Sequence, residues 1–114
     1  DERHLYAGIR YVENNPVRVR IAKRAEDYKW SSARGHARVK IDPMLSEDCY
    51  LTEEIKDWSS YLEEREETSL IDNIRQNTKT GRPCGDDVFV VKIEELLGRR
   101  LRALPWGRPR KADK

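Results

Sequence analysis

The sequence predicts an all-α protein, several short helices followed by a basic tail. Two observations carry this expectation. Apolar residues recur at helical spacing in three stretches, Leu5-Ile9-Val12, Ile55-Trp58-Leu62 and Phe89-Ile93-Leu96-Leu97, the period of an amphipathic helix. Charged residues make up 39% of the 114 positions and hydrophobic ones 37%, with a mean hydropathy of −0.93, so the apolar stripes are thin and the core modest. A chain this polar reads as helices with narrow apolar faces or as a piece of something larger. Asp1 in place of a starting Met fits the piece.

The first helix carries Leu5, Ile9 and Val12 on its expected inner face and is stopped by Pro16 after Asn14-Asn15. A short second helix is expected over Val17, Ile21 and Ala22, with Pro16 at its first position and Arg18, Arg20, Lys23 and Arg24 turned outward. In the stretch EDYKWSSARGHAR, Ser31 or Ser32 is the candidate N-cap, with Tyr28 and Trp30 as anchors. DPMLS reads as a turn, and Thr52 as the N-cap of TEEIKDWSSYLEE, whose carboxylates suit the first turn. A further helix covers Ser69 to Gln76 and ends in the TKTGRP turn. In GDDVFVVKIEELLGRRL the β-branched VFVV resembles a strand, but the 3.6 period running on through Leu97 favours a helix ending near Gly98. The segments are then 1–41, the tyrosine helix and basic stretch; 42–79, an acidic helical insert; 80–104, the last helix; and 105–114, a basic tail disordered in isolation.

No run approaches the roughly 18 apolar residues of a membrane span, and no signal peptide is visible. Cys49 and Cys84 stand apart without a CxxC partner, which argues against a zinc site or a disulfide framework. Two reduced cysteines in a cytoplasmic, nucleoid-associated protein is the expectation. The formal net charge of +2 conceals a segregation: +5 over residues 1–41, −8 over 42–67, zero over 68–91 and +5 over 92–114. Two basic ends around an acidic middle point to a polyanion held by the ends. Solvated helix faces produce such runs as well, and charge alone slightly favours that plainer reading.

On a helix, Asn15 lies one turn beyond Tyr11 on the same face. A tyrosine hydroxyl is a competent nucleophile toward phosphodiesters, since its phenolate also leaves when the reaction reverses. An asparagine carbonyl suits the shell of a hard divalent cation. From spacing alone, however, a half-buried tyrosine and a helix-ending asparagine account for the pair better.

The segment YVENNPVRVRIAKRAEDYKWSSARGH resembles the stretch of REP-associated tyrosine transposases that runs Tyr-Ile-x-x-Asn-Pro-Val-Arg-Ala and then Asp-Tyr-Pro-Trp-Ser-Ser. TKTGRPCGDDVFVVKIEELLGRRLRALPWGRPRK is similar to the C-terminal end of many members. The two blocks frame nearly the whole chain around the acidic middle. These proteins are single-tyrosine HUH transposases with a ferredoxin-like α+β core that acts on single-stranded DNA. The resemblance implies that this chain is the helical C-terminal part of such an enzyme, with Tyr11 as the nucleophile that becomes linked to a 5′ end and Asn15 as the helix-borne ligand of a Mg or Mn ion. The His-hydrophobic-His motif that supplies the other ligands in the family is absent from these residues. His4 and His36 are isolated, and fit surface or packing roles better than ligation. Val19 and Arg20 replace the family's small residues, and Lys29 stands where proline is usual. The chain alone is therefore expected to hold half an active site, to bind no metal and to leave DNA uncut.

The same resemblance sets Arg10, Arg18, Arg20, Lys23 and Arg24 beside the scissile strand as phosphate contacts, which give affinity without sequence choice. In the tail, GRPRK, with Arg108, Arg110 and Lys111, resembles the core of an AT-hook that enters the minor groove of A/T-rich duplex. A merely solubilising tail is equally consistent. Stacking on bases is open to Trp30 and Trp58, but core anchoring is the expectation for both. A stripe of Leu5, Ile9 and Val12 that lacks its sheet favours self-association. The rival reading is a non-catalytic helical DNA-binding module.

Overall fold

The computed structural model describes residues 2–46, 50–108 and 111, and within them the chain is helical with no strand. The helices are α1 (Glu2–Glu13), α2 (Asn15–Arg18), α3 (Ala33–His36), α4 (Tyr50–Glu54), α5 (Trp58–Glu63), α6 (Thr68–Thr80) and α7 (Asp87–Leu97), with a 3-10 turn at Ala25–Asp27 between α2 and α3. No helix among the described residues is long and apolar enough to cross a membrane.

The face that α1 buries is not its apolar stripe. Ala7, Arg10 and Glu13 are buried, whereas Leu5 and Val12 are 45% and 63% exposed. Ile9 alone of the expected stripe packs against the core. Charged residues turn inward because each finds a partner there, and a buried charge costs little only when paired. The core itself is small. Ala25, Ala33, Leu51, Trp58 and Leu62 form its buried cluster, with Tyr6, Val17, Ile55 and Tyr61 packed around it.

Several helix bounds depart from the sequence expectation, each for a local reason. The second helix ends at Arg18 instead of continuing through Ile21 and Ala22, because Arg20 adopts a left-handed φ of 63° and the Ile21 and Ala22 amides turn back to the Pro16 carbonyl. Thr52 lies inside α4 and is not a cap; the break at Ile55–Asp57 comes from Asp57, whose carboxylate accepts from the Ser60 amide at 3.1 Å and its hydroxyl at 2.8 Å. Those hydrogen bonds hold the Asp57 carboxyl below its usual pKa. Ser32 occupies the N-cap position of α3, but the Ser31 hydroxyl accepts from the Ala33 amide at 3.1 Å. Helix α6 runs four residues past Gln76, with the Thr78 and Thr80 hydroxyls bonded to carbonyls one turn back, and stops at left-handed Gly81.

Helix α7 ends as expected at Gly98 in the left-handed region, and Asp86 caps its start by accepting from the Phe89 amide at 2.8 Å. It buries no residue; Leu96 and Leu97, expected inside, are 78% and 60% exposed. Pro105–Arg108 and Lys111 run exposed and without regular structure. The radius of gyration is 18.1 Å and the extents are 66 × 31 × 22 Å, where a compact chain of this length has a radius near ~13 Å. Cys84 is a free thiol. Cys49, Arg110 and Asp1 lie outside the described residues.

Candidate nucleic-acid interface

Pro16 cannot donate to the α1 hydrogen-bond ladder, and α1 gives way at Asn14 to α2, which begins at Asn15. The Asn14 side-chain amide donates to the Leu62 carbonyl at 3.0 Å. Arg18 reaches back over the last turn of α1. Its Nη1 donates to the Tyr11 carbonyl at 3.1 Å and to Asn15 Oδ1 at 2.7 Å, while its Cζ sits 4.2 Å from the Tyr11 ring centroid. Tyr11, Asn15 and Arg18 are therefore one assembly, and the Tyr11 hydroxyl takes no hydrogen bond among the described residues. Asn15 offers one amide oxygen, already facing a guanidinium, and no group of three His, Cys, Asp or Glu is placed for an ion among the described residues.

Four cations of the first segment, Arg3, Arg10, Arg18 and Arg24, meet the acidic one. Arg10 is 8% exposed, with its guanidinium 4.5 Å from the Tyr61 ring centroid, a bond to the Tyr61 carbonyl at 3.4 Å, and Glu64 and Glu66 at 3.7 and 4.0 Å. Arg18 Nη2 reaches Glu66 at 3.2 Å. Arg24 bridges Glu26 and Glu63, both at 3.1 Å, and Arg3 pairs with Glu67. Arg18, Lys23 and Arg24 line one hollow of about 500 Å³ together with Glu26, Glu63, Glu64 and Glu66. Of the expected phosphate contacts, Arg20, Lys23 and Arg24 are exposed in the first segment, as are Arg108 and Lys111 in the tail.

A second hollow, of about 380 Å³, opens on the other side of α2 between Val12, Asn15, Val19, Ile21, Tyr28 and Trp30. Trp30 is no core anchor: it is 77% exposed, with the Lys29 ammonium 4.7 Å from its ring centroid. Trp58 fills the core instead, 2% exposed.

Glu13 ties these parts together, and sequence reasoning passed over it. Its carboxylate is 1% exposed and accepts from Ser32 Oγ at 2.7 Å, from His36 Nδ1 and from Trp58 Nε1 at 2.7 Å. One buried acid so joins α1, α3 and α5. The available signal was a glutamate three residues beyond Arg10 and seven beyond Tyr6, on a face shared with neither Leu5 nor Val12. His36, also edge-on to Trp58, is accordingly a packing histidine. His4 is partly buried on α1, with its pKa lowered chiefly by that burial and then by Arg3.

No protein family, curated sequence or solved structure matches the chain.

A basic hollow also forms where α6 and α7 end. Arg82, Arg99, Arg100 and Arg102 converge there on about 360 Å³. Arg102 is held by Glu94 at 2.8 Å, and helix C-termini favour cations, so this cluster has a sufficient structural reason.

Proposed function

We propose that the chain is the tyrosine-bearing helical part of a transposase that cleaves and rejoins single-stranded DNA at palindromic hairpins through a 5′-phosphotyrosine. The observation that carries this reading is the assembly of Tyr11, Asn15 and Arg18 at the end of α1, within the segment that resembles REP-associated tyrosine transposases. In the proposed step the Tyr11 oxygen attacks the scissile phosphorus and forms the Tyr–O–P bond. The P–O3′ bond breaks, and the 3′ oxygen leaves with a proton while the phenol loses one. The electron count is unchanged, and rejoining is the reverse. Arg18 is the cation nearest Tyr11, suited to hold a non-bridging phosphate oxygen once Glu66 releases it. A divalent metal, to which Asn15 would offer one oxygen, belongs to the proposal for the intact enzyme.

The test is a cleavage assay on the full-length protein with labelled hairpin DNA. Tyr11→Phe keeps the ring under Arg18 but removes the nucleophile, so the covalent adduct and the nick vanish while binding persists. An adduct that survives in Tyr11→Phe overturns the assignment. Loss of binding as well assigns Tyr11 to packing.

A second reading has an observation of its own. The Asn15 amide oxygen is bound by Arg18 and Arg10 is buried among carboxylates, an arrangement suited to a non-catalytic DNA-binding module. Under that reading the full-length protein forms no adduct, and binding still weakens steeply with salt.

A further inference from the structure

We propose that the hollow beside Asn15 seats an unpaired nucleobase, with the indole of Trp30 as its stacking platform; this rests on the DNA reading above. Trp30 is 77% exposed and contributes little to the core, whereas Trp58 is buried. The walls around it are apolar and likewise exposed, Val12 at 63%, Val19 at 64% and Ile21 at 66%. Water is a poor filling for such a surface, and a flat π-face is a good one.

Charge identifies the occupant. No carboxylate lines this hollow, in contrast to its neighbour across α2, which four glutamates line. The Lys29 ammonium lies 4.7 Å from the indole centroid. An apolar aromatic slot with a cation at its indole is complementary to a base carrying its own phosphate. A second copy of the chain fits worse, because a two-fold contact on this patch brings Lys29 toward its own counterpart. Position agrees with the assignment. Asn15 lines the hollow and bonds Arg18, which covers Tyr11, so a strand with a phosphate near Tyr11 has its neighbouring base within reach of Trp30. Bases in a duplex are already stacked and do not enter, which makes the seat selective for single strands.

The experiment is a low-salt titration of the chain followed by tryptophan emission, with Trp106→Phe in the background to silence the exposed tail indole. The probes are a single-stranded oligonucleotide, the same strand with abasic positions, and a duplex. Single-stranded DNA quenches Trp30. Trp30→Ala weakens its binding roughly five- to hundred-fold, Trp30→Phe retains most of it, and the abasic strand binds the unaltered chain as poorly as the intact strand binds Trp30→Ala. The abasic arm leaves the protein untouched, so a folding defect in the variant cannot mimic the result. If Trp30→Ala and the abasic strand both bind at full strength, the base seat is wrong while the DNA reading stands. If no strand binds at low salt, both fall. If Trp30→Ala converts a dimer to a monomer in sedimentation, the patch is an interface between copies and the proposal is overturned.

Discussion

The two hollows on either side of α2 share a helix and differ in almost everything else. In one, Arg18, Lys23 and Arg24 face Glu26, Glu63, Glu64 and Glu66. In the other, an exposed indole and three aliphatic side chains face solvent without a carboxylate. The difference teaches that charge segregated along a sequence need not be charge separated in space. The acidic middle folds onto the basic start through Arg3–Glu67, Arg10–Glu64, Arg18–Glu66 and Arg24–Glu63. A polyanion arriving at the first hollow must exchange partners. At the second it meets an aromatic surface and the exposed ammonium of Lys29. Exposed ion pairs are worth only ~0–1 kcal/mol each, so exchange at Arg24 is easy, while buried Arg10 gives up its partners less readily.

The largest expected effect removes the buried acid that anchors the end of α1 beside both hollows. Glu13 fixes the end of α1 against Ser32, His36 and Trp58, and so sets the distance from α2 to the 28–32 segment. Glu13→Ala strands three donors in the core and lowers stability by roughly 3–5 kcal/mol, a large share of the ~5–15 kcal/mol a small domain has. Thermal unfolding followed by helical circular dichroism measures it. A loss under about 1 kcal/mol removes Glu13 from its role as the hub. Glu13→Gln keeps the shape but sets an amide N–H against a donor, and should fall between the two.

A smaller effect separates the hollows. Glu64→Gln with Glu66→Gln releases Arg10 and Arg18 from their carboxylates. Single-stranded DNA affinity should rise about tenfold at low salt, and the slope of log K against log salt should steepen by about 0.7 per cation that gains a phosphate. The quenching of Trp30 should keep its amplitude, because nothing in the second hollow has changed. An unaltered affinity and slope would show that these arginines are structural and that the chain's DNA contacts lie elsewhere.

What could be read from the sequence divides along the same line of local against distant partners. Tyr11 and Asn15 were legible as neighbours from helical spacing; the return of Arg18 onto both, expected outward, was not. The Gly98 end and the helix across VFVV were legible for the same reason as the Tyr11–Asn15 pair, their signals lying within one turn of the element. The inner face of α1 was not. A stripe of Leu5, Ile9 and Val12 is the better apolar face, and the donors that draw Glu13 inward stand at positions 32, 36 and 58. Thr52 was the expected cap, and the hydrogen bonds of Ser60 place the cap at Asp57 instead. Trp30 and Trp58 are alike by residue type, and the fold buries one while leaving the other in solvent.

The smallest effect tests the first hollow by pH. Tyr61 lies under the Arg10 guanidinium and beside Trp58. Burial raises its pKa above the ordinary phenol value; Arg10 opposes this, and Glu64 and Glu66 add to it. A phenol whose folded pKa is raised is stabilised in its neutral form. Its contribution is complete below about pH 10, where the unfolded tyrosine also holds its proton, and is lost as pH rises through the folded value. The melting temperature of the protein should therefore fall more steeply in this alkaline window than that of Tyr61→Phe. The sign is independent of DNA. Replacing Glu64 and Glu66 by glutamine deletes two of the upward causes and leaves Arg10 acting downward, so the Tyr61 phenol should titrate at lower pH in that variant. Tyrosinate absorbance, taken as the difference from the matching Tyr61→Phe protein, isolates this group from the other tyrosines. A titration that does not move places the carboxylates too far from Arg10 and Tyr61 to act on them, and the contrast between a neutralised hollow and an open one loses its electrostatic basis.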